Sequence, residues 1–289
     1  MPLPPLSHEL PAAALRVLSR ATAIETVHGA TRTVWHAWGD AGSEPLVLLH
    51  GGSGSWTHWL RNVEALAASG RRVIVPDLPG FGDSAAAGSI VDADGMVEPV
   101  SAGLREVVGG SGAGVVGFSF GGLLAGLIAA AYPELVRRLV LAGAPALGIR
   151  AADLQLKDWR HLQERDARDQ VHRDNLRVLM LHDPASIDDF TVRLHAANLA
   201  RDRVRRRRMA RTDVLARTLS TLRCRVDGIW GRFDQLYAGK VDELRELLGR
   251  APNFGELVLV PHAGHWVQYE NAASFNEELL RLLAVPTLP

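Results

Sequence analysis

The sequence predicts an α/β fold: a mostly parallel, doubly wound sheet, with a block of helices inserted after the sixth strand. Short apolar runs such as Pro45-Leu-Val-Leu-Leu-His50 alternate with amphipathic stretches of helical period, as parallel strands joined by helices require. Those runs are continuously apolar rather than alternating, which marks strands covered on both faces. Between residues 146 and 222 the β-branched runs stop, and Arg, Asp and Leu recur at helical spacing.

In order, residues 1–20 read as a loose arm with one short helix at 12–19, and 22–27 and 31–38 as a hairpin around His28-Gly29-Ala30. Strand 45–50 leads through Gly51-Gly52-Ser53-Gly54-Ser55 into a helix over 56–69, then strand 71–76 and helix 94–108. Strand 113–118, helix 122–131 and strand 137–142 follow. After the inserted helices come strand 225–230, helix 241–250, strand 256–260 and a last amphipathic helix at 272–283. The expected division is a core of 1–145 and 223–289, with 146–222 inserted.

Composition narrows the function classes. With 32 basic and 32 acidic residues the chain has no net field to favour nucleic acid or an anionic membrane. The arginine run at 203–208 lies among acidic residues and reads as a solvated helix face. One cysteine, Cys224, excludes an intramolecular disulfide; it reads as a buried strand residue. The N-terminus lacks a basic region and a continuous apolar core, and no run of about 18 apolar residues occurs, so a cytoplasmic protein is expected. There is no metal-ligand spacing, P-loop or dinucleotide fingerprint, hence no metal and no cofactor. The expected partner is a small-molecule substrate; a homodimer is allowed for, with the oligomeric state not fixed by the sequence.

The chemistry centres on Gly117-Phe118-Ser119-Phe120-Gly121, set between a buried strand and an apolar helix. In that setting G-x-S-x-G forms a sharp elbow that lifts the serine hydroxyl above the sheet, and side chains at the flanking glycines would collide with neighbouring backbone. A serine nucleophile needs a base within hydrogen-bond reach and a carboxylate to fix that base. Asp234, in Trp230-Gly-Arg-Phe-Asp234, and His265, in Pro261-His-Ala-Gly-His265, each follow a predicted strand. All three side chains therefore fall at the carboxyl ends of the strands, where open parallel sheets bind their ligands. His50 reads as a support for the loop after it, and Asp77 as a loop brace. Ser53 is a candidate hydrogen-bond donor to substrate, and Trp56, Trp59 and Trp266 either line the pocket mouth or pack in the core.

Together, His50-Gly51-Gly52, Asp77-Leu-Pro-Gly-Phe-Gly82, Gly117-x-Ser119-x-Gly121, Asp234 and His265 occur in an order that resembles the α/β-hydrolase-fold serine hydrolases over nearly the whole chain. The resemblance implies an oxyanion hole from the amides of Phe120 and Gly52, and a lid at 146–222. The tail His265-Trp-Val-Gln-Tyr-Glu270 is similar to that of the meta-cleavage-product hydrolases, which split carbon–carbon bonds in vinylogous diketones. That likeness implies a lid arginine on a substrate carboxylate, with Arg193 near the corresponding place; an exposed arginine is the alternative. The expected activity is hydrolysis of a carboxylic ester or a meta-cleavage-type C–C bond through Ser119, His265 and Asp234. The alternatives are cofactor-free perhydrolysis, which the Gly-Phe-Ser-Phe-Gly-Gly elbow also resembles, and a non-catalytic ligand-binding protein on the same fold.

Overall fold

The computed structural model describes residues 9–286 except 111, 150–153 and 205; the first eight residues of the arm read at 1–20 and one arginine of the 203–208 run lie outside them. The chain opens with α1 (Ala12–Leu18) and the hairpin β1 (Thr22–His28) and β2 (Thr31–Trp38). Then come β3 (Glu44–Leu49), α2 (Val63–Ala68), β4 (Arg71–Asp77), α3 (Asp94–Val108), β5 (Ala113–Phe118), α4 (Phe120–Ala131) and β6 (Val136–Ala142). Beyond β6 lie α5 (Arg165–Asn175), a π-turn at Leu176–Met180, α6 (Asp189–Ala200) and α7 (Val214–Leu219). The chain closes with β7 (Arg225–Gly231), α8 (Val241–Leu248), β8 (Phe254–Val260), α9 (Val267–Glu270) and α10 (Ala272–Ala284).

The strands form one sheet in the order β1-β2-β4-β3-β5-β6-β7-β8. The β1–β2 and β2–β4 pairs are antiparallel and every later pair is parallel. The apolar runs are sandwiched as expected. Along β3, Val47 and Leu49 join the layer containing α3 and α4, while Leu46 and Leu48 join the opposite layer with α10. Val115 and Val116 of β5 divide in the same way. A strand whose successive side chains enter two different cores must be apolar at every position.

Two expectations change, for the helix at 56–69 and for Cys224, and one contact bears on the expected division of the chain. The helix expected over 56–69 breaks into a 3-10 turn, Trp56–Trp59, and then α2. Trp56 N is drawn to Asp77 Oδ1 at 2.8 Å and Thr57 N to Ser55 Oγ, which ties the first turn to the neighbouring loop. The end of the inserted stretch lies with the sheet: Leu215, Ala216 and Leu219 of α7 join the α4 layer, with Leu215 filling the space above Gly126. Cys224 stands one residue before β7, half-buried, and burial pushes its thiol up to about 11. No helix among the described residues is long and apolar enough to cross a membrane.

Candidate active site

Ser119 follows directly on β5 and precedes α4, with φ 50° and ψ −121°. A non-glycine residue there carries strain on the order of 1–3 kcal/mol, which the surroundings must offset. They do so by close fit. Ser119 N donates to Ala142 O at 2.8 Å, and Ser119 O accepts from Gly122 N at 2.8 Å. A Cβ on Gly117 would stand 2.5 Å from Gly121 O, and one on Gly121 would stand 2.4 Å from Leu49 O on β3. Both glycines are therefore obligatory, one for the elbow helix and one for the neighbouring strand.

The register brings the strand ends level, with Leu49 opposite Gly117 and Phe118 opposite Ala142. Asp234 and His265 arrive at the same edge from the loops after β7 and β8. His265 Nε2 lies 3.0 Å from Ser119 Oγ, and His265 Nδ1 lies 2.8 Å from Asp234 Oδ2. A carboxylate only accepts, so Nδ1 carries a proton and Nε2 is free to accept from the serine. Asp234 Oδ1 accepts from Leu236 N at 3.0 Å, which fixes the carboxylate plane. Both side chains are almost fully buried. The histidine loop is itself clamped: Glu270 accepts from Gly264 N at 2.6 Å, and also from His182 N and Asp183 N.

Phe120 heads α4, so its N–H has no carbonyl of its own helix to meet and sits at the positive end of the helix dipole. Gly52 lies on the loop after β3. His50 braces that loop: its Nδ1 donates to Gly51 O at 2.7 Å and its Nε2 accepts from Leu78 N at 2.9 Å. That pattern requires the neutral ring, and burial lowers the His50 pKa accordingly. Asp77 accepts from Trp56 N and Asp83 N, holding the two flanking loops together.

A cavity of about 990 Å³ opens over these groups, lined by Gly52, Ser53, Ser119, Phe120 and His265 on the sheet side. Its other wall comes from residues 145–212, with Leu147, Leu179, Met180 and Leu199 apolar and Asn175 and Arg211 polar. Among the described residues no group of three His, Cys, Asp or Glu side chains is placed to hold a metal ion.

Of the sequence-derived candidates, the structure brings together Ser119, His265, Asp234, Phe120, Gly52 and Ser53. It separates two. Arg193 is exposed and lines a different, outer groove with Glu9, Trp159 and Arg168, because α6 turns its neighbours Val192 and Leu194 inward instead. Trp266 is fully buried behind the cavity, stacked on Tyr269 at 4.0 Å with Nε1 donating to His58 O. Trp56 and Trp59 are likewise core residues. His262 is exposed on a turn with φ 53°.

Three cavity residues escaped the sequence reading. His58 accepts from Gly51 N through Nδ1 at 3.2 Å, so its Nε2 carries the proton. Burial, and then the neighbouring His50, His195 and His265, hold its pKa well below the ordinary value. Burial also lowers His195 to about 3. His58 sits between two tryptophans in the 3-10 turn and His195 on the buried face of α6. The third is Arg207. The described residues of the 203–208 run form no helix face: Arg203 N donates to Gly80 O, its guanidinium to Gly82 O and Ser84 O, and Val204 is buried against Gly80. The lone valine within the arginines was the clue to a seated coil.

Residues 44–182 match the family model for the alpha/beta hydrolase fold. The chain is 30% identical over 263 residues to the 2-hydroxy-6-oxo-6-phenylhexa-2,4-dienoate hydrolase of Burkholderia cepacia, covering 85% of this chain and 90% of that one. Among solved structures it is similar to a variant of the meta-cleavage product hydrolase CumD of Pseudomonas fluorescens, at 25% identity and TM-score 0.73, covering 90% of this chain and 97% of that one. Carboxylesterase CesB of Bacillus subtilis shares the fold at 19% identity and TM-score 0.78, covering 94% and 96%. With the sheet order, the serine elbow and these likenesses in agreement, the chain belongs to the alpha/beta hydrolase fold family and is a hydrolase.

Proposed function

We propose that Ser119 is the nucleophile of a serine hydrolase with His265 as its base and Asp234 as the group that orients the imidazole. The observation that carries this reading is the 3.0 Å and 2.8 Å relay from Ser119 Oγ through His265 to Asp234 at one sheet edge. Ser119 attacks a carbonyl carbon while His265 Nε2 takes its proton. The carbonyl oxygen becomes an oxyanion, held by the amides of Phe120 and Gly52; one such donor is typically worth about 3–4 kcal/mol. His265 then protonates the leaving group, and water cleaves the acyl-enzyme by the same route in reverse. In this reading residues 146–213 form the lid, leaving α7 to the core.

The substrate we propose is a meta-cleavage-type diketone, in which the leaving group is a carbanion stabilised by the conjugated system. Support comes from the dienoate hydrolase likeness over 85% of the chain and from a cavity of about 990 Å³ that combines apolar side chains such as Leu147, Leu179 and Leu199 with cations such as Arg211. One observation favours the ester as a second reading: Arg193, the candidate for the substrate carboxylate, does not face the cavity.

Intact mass after exposure to a fluorophosphonate tests the nucleophile: one adduct on wild type and none on Ser119→Ala is expected. An unlabelled, folded wild type would remove the assignment. Parallel rates on dienoate diketones and on aryl esters decide the leaving group, and a kcat/KM higher for esters by tenfold or more would overturn the C–C reading.

A further inference from the structure

We infer that Arg207 and Asp202 are positioning residues for the oxyanion hole, so that the hole is complete only when the 202–208 coil is seated on the loop after β3. The inference rests on the serine-hydrolase reading and extends it to residues outside the sheet.

Ser53, next to Gly52, adopts φ 53°, a conformation uncommon for a residue other than glycine and costly without support. The support is visible. Ser53 Oγ donates to Asp202 Oδ2 at 2.6 Å and accepts from Arg207 Nη2 at 3.0 Å. Arg207 Nη1 closes the triangle on Asp202 Oδ2 at 2.8 Å and also donates to Val204 O at 3.0 Å. Meanwhile the guanidinium lies against Gly52 itself: a Cβ there would stand 3.0 Å from Arg207 Nε. One planar cation thus touches the residue proposed to supply an oxyanion amide and fixes the torsions of the residue after it.

The coil carrying Arg207 is anchored independently of Ser53. Arg203 N donates to Gly80 O at 3.0 Å, Asp202 Oδ1 accepts from Val204 N at 3.0 Å, and Val204 is buried over Gly80. The triangle is only partly exposed, at 26% for the Arg207 side chain and 10% for Asp202, so solvent does not replace its hydrogen bonds at no cost. On the core side His58 and His50 hold Gly51 but make no bond to Gly52 or Ser53 among the described residues. Among the described residues, the side-chain hydrogen bonds of Ser53 therefore run to the inserted stretch, while His58 packs against Gly54 from the core side. An oxyanion donor works by being aimed before the charge develops, so loosening Ser53 and its neighbour Gly52 weakens transition-state binding more than substrate binding.

The test compares wild type, Asp202→Asn, Arg207→Lys and Arg207→Ala, with rates normalised to sites labelled by the fluorophosphonate. The expected result is a fall in kcat of about tenfold to a hundredfold, a matching loss of affinity for phenylboronic acid as tetrahedral mimic, and KM changed by less than about threefold. Guanidinium chloride at tens of millimolar should restore part of the Arg207→Ala rate and none of the Asp202→Asn rate. A merely structural role would lower the labelled fraction and the Tm while leaving the rate per labelled site and the boronate affinity unchanged, and that outcome overturns the inference. If Arg207→Ala does not fold, Arg207→Lys and Asp202→Asn carry the same comparison. A labelled wild type with unaffected variants sinks this inference alone; an unlabelled wild type sinks the nucleophile assignment together with it.

Discussion

The two walls of the cavity are held in opposite ways. On the sheet side, Ser119 stands on backbone set by parallel register, and a Cβ on either elbow glycine would meet backbone oxygen at 2.4–2.5 Å. On the other side, residues 145–212 are held largely through side chains: Arg203 donates to loop carbonyls, Asp202 accepts from Ser53, and Glu270 accepts from the His182 and Asp183 amides, with a few backbone bonds such as Arg203 N to Gly80 O beside them. A backbone-built wall fixes chemistry; a wall built of side chains can be re-cut by single substitutions, which suits the selection of substrates.

Substitutions should separate the two walls, beginning with the largest effect. Ser119→Ala should lower turnover by about 10⁴-fold or more with an unchanged circular dichroism spectrum; retained activity would move the nucleophile elsewhere. Asp234→Asn keeps the shape but allows the wrong imidazole tautomer, and kcat should fall by about 10³–10⁴-fold with KM little changed. Gly117→Ala drives a methyl into α4 and should destabilise the fold by about 1–3 kcal/mol in a urea titration. A neutral result there would show the elbow to be slack.

The other wall should answer to pH. His195 stays neutral down to about 3 in the native state, whereas the unfolded imidazole takes a proton near its ordinary 6.5. The unfolded chain therefore binds more protons between those values, so the contribution is complete above about pH 6.5 and is lost as pH falls towards 3. His195→Gln should flatten that acid limb of the stability curve, and an unchanged slope would point to His58 or to another group. Smallest of all, Arg193→Ala should leave kcat/KM within twofold on any substrate, because its side chain lines the outer groove. A tenfold loss would mean that the arginine swings inward.

How much of this was legible depends on what holds each part. Ser119, Asp234 and His265 could be read because strand ends are marked by apolar runs and turn glycines, and the topology does the rest. The helix at 94–108 and the strand at 113–118 were placed to the residue. Arg193 and Trp266 were left open between the pocket and the alternatives, because helix phase and the depth of a loop residue depend on tertiary packing. Arg207 was missed for a related reason. A run of arginines looks solvated until one knows that Gly80, Gly82 and Ser84 offer their carbonyls to it.

The Glu270 carboxylate gathers amides from residues 182, 183 and 264, positions some eighty residues apart in the chain. It works as a reversible crosslink that closes a long loop. Because the entropy of closing such a loop grows only with the logarithm of its length, residues can be added or lost on its surface at little cost to the knot. Surface turns between the clamp's two ends can therefore change in length while Gly264 and His265 keep their place, whereas β7, β8 and Asp234 in the same stretch stay fixed by the sheet.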